Sequence, residues 1–568
     1  MLPRCNSPLM SSSIGPANGL LIVISREKTE ALLFTNWANE AGGKCVVDLE
    51  LNPGEKIKQV QSLRFLGITL DERLTFAHHV KKTFQNVLAR QRAITILATT
   101  DFGADEATVR ASHRCITEPA IDYGAGIYAS HAAPSTLEKL EVVQRAAGRI
   151  ITGLPKGTRD AVVYAESQLL PNMARARSKA ALLHQRMLRL PPHHPSFRIS
   201  QPLTKSRLTR KSWRSTAIDV ANTAEVPTSS HNIEPFSFIS QPPWTFNSVN
   251  VFYNMDAVKF SSKTDTPDLR RAASIDVLLS LPPNEYVYWT DGSVVDGTGR
   301  GGGGIFIWDP GGPQHQHSWS VPAGRLCSSF RAEMTALKAA LTHATSHDHP
   351  HLRVCTDSLS AIQGLQEGPS RQSAKLGQQI WTLLSELSSK GRSVRLVWVP
   401  GHAGLTGNER ADRTANEGVH LPQDATPLDF QTAKAAIKRS CITTARAFIY
   451  STVPPDHFHR RATDGKPSSL PPHTSRKLSN AVHQLRANNS YRLPHTLHRW
   501  RRPGATGRCQ FCGAIDADAN HLLLFCPQWT AQRTLAGITN LSILQKPEAL
   551  NDFLKSIGWW QHRPDMTT

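Results

Sequence analysis

No stretch of this chain approaches the ~20 consecutive apolar residues that a membrane span needs. The apolar run at residues 19–24 is too short, and its flanks too polar, for a signal peptide. Both absences argue against secretion or membrane insertion, so an intracellular protein, of nucleus or cytoplasm, is expected. Cysteine is also scarce. Nine are spread over 568 residues, six of them singly, which is no disulfide framework and points to a reducing compartment. Acidic residues are in deficit: 45 Asp+Glu face 65 Lys+Arg, for a net charge of +20 and a pI near 9.8. Such an excess favours a polyanionic partner, most simply nucleic acid. No repeat of 20–50 residues is visible, and no Asp-Asp dipeptide occurs.

What is present divides unevenly. A chain this long predicts three to five domains. Residues 1–72 read as short strands and turns, with β-like runs at 31–34 and 63–70 ending at Asp71. Residues 73–190 read as helical. Ser135 and Glu138 there fit a capping box ahead of Leu137, Leu140, Val143, Ala147 and Ile150 at helical spacing. From 191 to 280, prolines at 191, 192, 195, 235, 242 and 243 with many Ser/Thr residues predict a linker. Its basic run of Lys205, Arg207, Arg210, Lys211 and Arg214 around Trp213 reads as a solvated charge run rather than a nucleic-acid strip. Residues 281–420 are the dense part. A helical connector at 421–500, a Cys/His segment at 501–530 and a tail at 531–568 complete the chain.

Within 281–420 the pattern is βββαβαβα, an α/β arrangement with one mixed sheet. A β-rich run at 286–290 stops at Asp291-Gly-Ser. A glycine-rich turn leads to a second strand at 304–308 and a third near 316–320. The turn contains Gly297-Thr-Gly-Arg-Gly-Gly302, which satisfies the dinucleotide fingerprint but precedes a strand, so it offers no helix N-terminus to a pyrophosphate. A helix over 328–344 puts Glu333 on the same face as Leu337, Ala340, Leu341 and Ala344. A carboxylate turned toward a core is costly unless paired or metal-bound. Asp357 and Ser358 end the next strand. A last strand, 394–399, runs into Pro400-Gly-His402, and a helix begun by a Thr406/Glu409 capping box carries Asp412. Four clustered carboxylates repel, and hard divalent cations, Mg²⁺ or Mn²⁺ rather than Zn²⁺, are their usual remedy.

Thr290-Asp-Gly-Ser293, Arg331-Ala-Glu333, Thr356-Asp-Ser358 and the run from Pro400-Gly-His402 through Gly407-Asn-Glu409 to Asp412 resemble the motif series of a type 1 ribonuclease H domain. The resemblance covers roughly 140 residues and implies a ribonuclease H-like fold, a mixed five-stranded sheet with flanking helices. It implies two Mg²⁺ or Mn²⁺ ions held by Asp291, Glu333, Asp357 and Asp412. It also makes His402 a mobile-loop aid to proton transfer or product release, and Ser358 and Asn408 substrate contacts. The implied reaction is endonucleolytic hydrolysis of the RNA strand of RNA–DNA hybrids. The alternative is a catalytically silent remnant that binds nucleic acid.

Cys509-Gln-Phe-Cys512, His521 and Cys526 have the C-x2-C-x8-H-x4-C spacing of a tetrahedral structural Zn²⁺ site, with Gly513 placed for a tight turn. Arg499-Trp-Arg-Arg502 just upstream offers cations and a ring for stacking on bases. This segment looks like the C-terminal zinc knuckle-like part of non-LTR retrotransposon polyproteins. Lys28-Thr-Glu-Ala-Leu-Leu-Phe34 and Phe65-Leu-Gly-Ile-Thr-Leu-Asp71 are similar to the last motifs of such an element's reverse-transcriptase palm, which a helical thumb follows. By that resemblance the chain is multidomain: palm remnant, mainly α thumb-like region, linker, ribonuclease H domain, then helical and zinc segments. Without a paired-aspartate turn it is not expected to polymerise. RNA, DNA and their hybrids are the expected partners.

Overall fold

A computed structural model describes residues 28–561 apart from 52, 100–102, 202–211, 237–248, 261, 263, 298, 309–315, 373, 424–425 and 465–468. The basic run at 205–211 lies outside the described residues, as do residues 19–24. The chain forms two compact units. One comprises residues 1–180, 210–216 and 441–568; the other comprises 181–209 and 217–440.

In the first unit a short parallel pair, Glu30–Ala31 with Lys58–Gln59, stands where a β-like run at 31–34 was expected, and a hairpin, β1 (Ser62–Phe65) and β2 (Ile68–Asp71), stands where a single run at 63–70 was expected. Leu66 and Gly67 both take positive φ, 45° and 86°, which closes a two-residue turn. The hairpin's last residue, Asp71, accepts hydrogen bonds from the backbone N–H groups of Arg73, Thr75 and Phe76 and so organises the entry to α1 (Ala77–Leu97). The helical reading of 73–190 agrees with α2 (Glu106–Ser112), α3 (Pro134–Thr152) and α4 (Asp160–Ser167). The Ser135/Glu138 capping box does not form. Ala133 is the cap and Pro134 the first helical residue, two positions earlier, and Glu138 pairs with Arg145 instead.

The second unit is built on one sheet with strand order β3-β8-β7-β4-β5-β6. Its strands are β3 (Val251–Asn254), β4 (Tyr286–Val294), β5 (Gly301–Trp308), β6 (His317–Gly324), β7 (His351–Thr356) and β8 (Ser393–Trp398). Pairings β4–β5 and β5–β6 are antiparallel, while β4–β7, β7–β8 and β8–β3 are parallel. The sheet thus has six strands, not five. The extra one lies in the expected linker, because four residues between Ser- and Pro-rich stretches are too few to show alternation. Helices α5 (Ser329–Thr345), α6 (Leu359–Gln366), α7 (Lys375–Ser389) and α8 (Thr406–Gly418) accompany the sheet. The core joins Tyr288, Ile305 and Ile307 of the sheet to Leu337 and Leu341 of α5 and to Ile380, Leu384 and Leu387 of α7.

Strand β4 runs through Asp291 to Val294 instead of stopping, because Gly304 to Gly301 continue the ladder opposite it. The glycines expected in the turn therefore belong partly to β5, and their missing side chains admit two helices. A Cβ on Gly304 would lie 2.1 Å from the Ala411 carbonyl oxygen of α8, and one on Gly303 would lie 3.0 Å from the Ala336 nitrogen of α5. Close approach on both faces requires glycine here.

The unit extends beyond the expected 281–420. Arg331, at the start of α5, is nearly buried and pairs with Glu234 and Asp429, 3.1 Å from each. Val251 and Tyr253 of β3 pack against the core. Residues 281–420 alone would strip both acids from a buried arginine, a loss of ~3–5 kcal/mol when a buried pair is broken. We expect that fragment to melt at least ~10 °C below residues 217–440 in a thermal scan. Equal melting would show that these contacts add nothing.

After residue 440 the chain returns to the first unit with α9 (Phe458–Thr463), α10 (Arg476–Arg486) and, within the expected tail, α11 (Pro547–Ser556). Leu550, Phe553 and Leu554 of α11 join Val482 and Leu485 of α10 in one core, so 531–556 is packed structure and not a tail.

Candidate active site and Cys/His cluster

Parallel pairing of β4 with β7 sets Thr290 opposite Thr356, which brings Asp291 and Asp357 side by side at one edge of the sheet. Glu333 approaches from the first turns of α5. Gly292 allows this, since a Cβ there would lie 2.3 Å from the Glu333 nitrogen. The Ser328 side chain caps α5 by accepting from the Arg331 N–H, which fixes where the helix starts. One carboxylate oxygen from each of Asp291, Glu333 and Asp357 falls within a 4.8 Å cluster.

Burial and mutual repulsion dominate the electrostatics. Burial, then the Asp357 charge, pushes Asp291 up to about 7. Glu333 is raised well above the carboxylate range by burial and by both aspartates. Asp357 is raised by burial and by Asp412, against the opposing influence of His402. Glu333 Oε2 is buried with no hydrogen-bond partner. A buried carboxyl oxygen left orphaned among raised carboxyl groups matches an oxygen-donor set for a hard divalent cation.

The other expected residues distribute unequally. Asp412, on α8, lies outside the three-residue cluster, and its Oδ1 accepts from Asn416 at 3.3 Å, yet its charge raises both Asp291 and Asp357. His402 is exposed at φ 52° in the loop after β8. Asn408 is buried, and its Oδ1 lacks a partner. Ser358 precedes α6, its N–H donating to Thr356 Oγ1 at 3.2 Å. The Thr406/Glu409 capping box is absent: Leu405 occupies the cap and no side chain bonds there. Two contributors went unnoticed in the sequence. Trp398 Nε1 donates to the Asp357 carbonyl at 2.9 Å, and Gly401 leaves room for Asp357, whose Oδ2 would lie 2.3 Å from a Cβ there. Their signal was the Trp-Val-Pro-Gly-His run leaving the last strand.

A family model described as RNase H matches residues 283–420. Ribonuclease H of Cyanothece sp. is 33% identical over 137 residues, 22% of this chain and 84% of that protein. The chain belongs to the ribonuclease H family. Ribonuclease H of Hyphomonas neptunium is 34% identical over 142 residues, 23% of this chain and 89% of that protein. Ribonuclease H1 of Rattus norvegicus is 33% identical over 145 residues, and the chain spans half of it. The matched segment of the ribonuclease H domain includes Asp291, Glu333, Asp357 and Asp412, together with His402.

Outside that domain, Cys509, Cys512, His521 and Cys526 form a second cluster within 4.8 Å. Cys526 Sγ lies 3.9 Å from each of the other two sulfurs, and Cys512 Sγ lies 3.4 Å from His521 Nε2. A tetrahedral zinc with bonds near 2.3 Å to sulfur and 2.0 Å to nitrogen implies edges of about 3.8 and 3.5 Å. The cluster is compatible with zinc. Gly513, at φ 71°, turns the chain as expected, its N–H donating to the Cys509 carbonyl. Asp518 Oδ1 accepts from the His521 N–H at 2.8 Å.

Proposed function

We propose that the chain hydrolyses the RNA strand of RNA–DNA hybrids with the help of divalent metal ions. The observation that carries this reading is the Asp291, Glu333 and Asp357 cluster, with its buried unpartnered oxygen, inside a ribonuclease H family domain. Asp291, Glu333 and Asp357 would hold Mg²⁺ or Mn²⁺, with Asp412 completing the set from α8. Bound there, two such ions supply an activated water and charge neutralisation at a phosphodiester. The remaining groups position the substrate and move protons. Exposed His402, close enough to influence Asp357, is placed to exchange a proton with solvent during turnover or product release. Asn408 Oδ1 is an acceptor awaiting a donor, and a ribose 2′-hydroxyl offers one. Ser358 reaches the same sheet edge and suits a phosphate oxygen. Trp398 and Gly401 act one step back, holding Asp357 at the strand end.

The test is cleavage of a hybrid labelled on each strand by the full chain, with Mg²⁺ or with EDTA. Metal-dependent cutting of the RNA strand alone supports the reading. Hybrid binding with no cutting in either condition favours the silent nucleic-acid-binding remnant.

Zn²⁺ would be held by Cys509, Cys512, His521 and Cys526, as in a zinc knuckle-like segment. The β1–β2 hairpin with the helices after it supports a reverse-transcriptase palm and thumb remnant in a retrotransposon-derived polyprotein. The zinc reading predicts one zinc per chain by elemental analysis. Replacing Cys512 by serine should lose that zinc and lower melting by ~5–10 °C. Zinc retained at full stoichiometry in the variant would count against these ligands.

A further inference from the structure

The helix Pro267–Leu279 lies in the stretch expected to be a linker and belongs to the second unit, yet the ribonuclease reading gives it no part. It precedes the 283–420 match. Pro267 at its first position and Asp268 in its first turn favour a start here, and Thr266 takes the extended backbone of a cap. Ser274 and Val277 are buried, and Leu278 packs against the cluster of Trp289, Val399, Leu405 and Ala411. Val399 and Leu405 bracket the His402 loop in sequence. The far end of the helix is tied down as well. Arg353 of β7 donates from Nη2 to the Pro282 carbonyl at 2.7 Å and from Nη1 to the Leu278 carbonyl at 3.4 Å, while its Nε meets Glu285 at 2.6 Å. β7 is the strand that leads into Asp357, so the helix is fastened to an element of the site.

From that helix Arg270 reaches the His402 loop. Its Nη1 donates to the Gly401 carbonyl at 3.3 Å, the one hydrogen bond of this guanidinium among the described residues, and its Nε is buried without a partner. A hydrogen bond from a charged donor is stronger than a neutral one. The Gly401 carbonyl belongs to the peptide group that joins Gly401 to His402, and the tilt of that rigid plane sets the His402 φ. His402 holds φ 52°, a left-handed value that residues with a side chain rarely adopt and that persists where the surroundings fix it. Gly401 also abuts Asp357, whose Oδ2 would lie 2.3 Å from a Cβ there. Ala403 and Leu405 hold the rest of the loop by burial, whereas His402 is exposed. The bond from Arg270 is therefore made at the one peptide that decides where the imidazole points.

We propose that Arg270 is a positioning residue for the ribonuclease reaction: by holding the Gly401 carbonyl, it fixes the peptide plane that orients His402 beside Asp357. The proposal rests on the ribonuclease reading of the carboxylate site. It makes a helix upstream of the matched segment part of the working nuclease. In this role Arg270 touches neither substrate nor metal and acts through His402.

The test is a double-mutant cycle in the full chain, read as steady-state cleavage of an RNA–DNA hybrid in Mg²⁺. Arg270→Met keeps the aliphatic stem and removes the donors. It should lower kcat about 5–10-fold with KM within about twofold of the parent. Arg270→Lys, which keeps a donor, should recover part of that loss. In a His402→Ala background, Arg270→Met should cost less than about twofold, because the residue it positions is gone. Arg271→Met, an exposed neighbour of equal charge, should stay within about twofold of the parent. Equal losses from Arg270→Met with and without His402 would overturn the proposal in favour of a general structural role. A raised KM with kcat kept would overturn it in favour of a direct contact with hybrid. Hydrogen–deuterium exchange of the metal-free chain separates these outcomes from failure of the ribonuclease reading. Arg270→Met should speed exchange at residues 401–405 at least about threefold and leave β8 unchanged. A chain that cuts no hybrid yet shows that change would sink the ribonuclease reading and uphold the hold of Arg270 on the loop. Unchanged exchange would remove that hold. Arg270→Gln replaces Arg270→Met throughout if the latter melts well below the parent.

Discussion

Asp357→Asn in the full chain should lower hybrid cleavage by at least about 10³-fold while leaving hybrid binding largely intact. Asp357 sits at the junction of the cluster. Its charge raises both Asp291 and Glu333, and Trp398 and Gly401 hold it in place. A neutral amide keeps the shape but removes a hard anionic ligand. The same change should raise the melting temperature in EDTA, because the metal-free cluster is strained by repulsion. The pH dependence follows with a definite sign. Asp291 titrates near 7 in the fold against about 4 when unfolded, so between those values the native state holds more protons. Stability of the metal-free domain therefore falls as pH rises from about 4 to about 7. Divalent ions compete with those protons, so cleavage should increase with pH through about 7, and more Mg²⁺ should move that rise to lower pH. Parent-like turnover by Asp357→Asn would remove it from the metal site.

Glu166→Ala should destabilise the discontinuous unit by ~3–5 kcal/mol, enough to lower its melting by ~10 °C or more. Glu166 is fully buried. It is bonded to His459 Nε2 at 2.7 Å, to His483 Nδ1 and to Arg486 Nη1 at 3.4 Å. His483 Nε2 meets Glu106 Oε2 at 2.8 Å, and Glu106 also accepts from Ser479 and Arg110. Removing Glu166 takes the carboxylate away from buried Arg486 and His459, and leaves His483 with Glu106 alone. Burial alone would lower the His483 pKa, yet Glu106 and Glu166 hold it at about 8. A raised histidine stabilises fully below its unfolded value near 6.5 and loses that contribution as pH climbs through about 8. Glu106, brought down to about 2 by His483 and Arg110 despite burial, contributes above its unfolded value and loses that as pH falls. Denaturant titrations at pH 6.5 and 9 should show the parent weaker at pH 9 and Glu166→Ala with a smaller difference, because Glu106 still faces His483. A variant as stable as the parent would mean the network is energetically neutral.

The three acids that the structure brings together were legible from local pattern: Asp357 follows a β-rich run, Asp291 follows one whose strand in fact continues to Val294, and Glu333 interrupts an apolar helix stripe. The cysteines were legible from spacing alone. What escaped depends on distance along the chain. The Arg331 pair with Glu234 spans 97 residues, and strand β3 is held by register against β8, so neither leaves a periodic trace. Both capping boxes were misread for another reason. Pro134 and Leu405 fixed the helix starts by backbone geometry, leaving the polar side chains free for other partners. The glycines of β5 looked like a turn because their role is to be absent as side chains, which only the packed helices disclose.

The Glu166–His483 contact joins residues 317 positions apart, with the ribonuclease H domain in the intervening chain. Closing so long a loop is entropically expensive for an unstructured chain, and the cost falls once the intervening residues have collapsed into a compact body. The order of assembly is thereby biased. Collapse of the ribonuclease H domain ahead of that contact would shorten the effective loop that Glu166 and His483 must close.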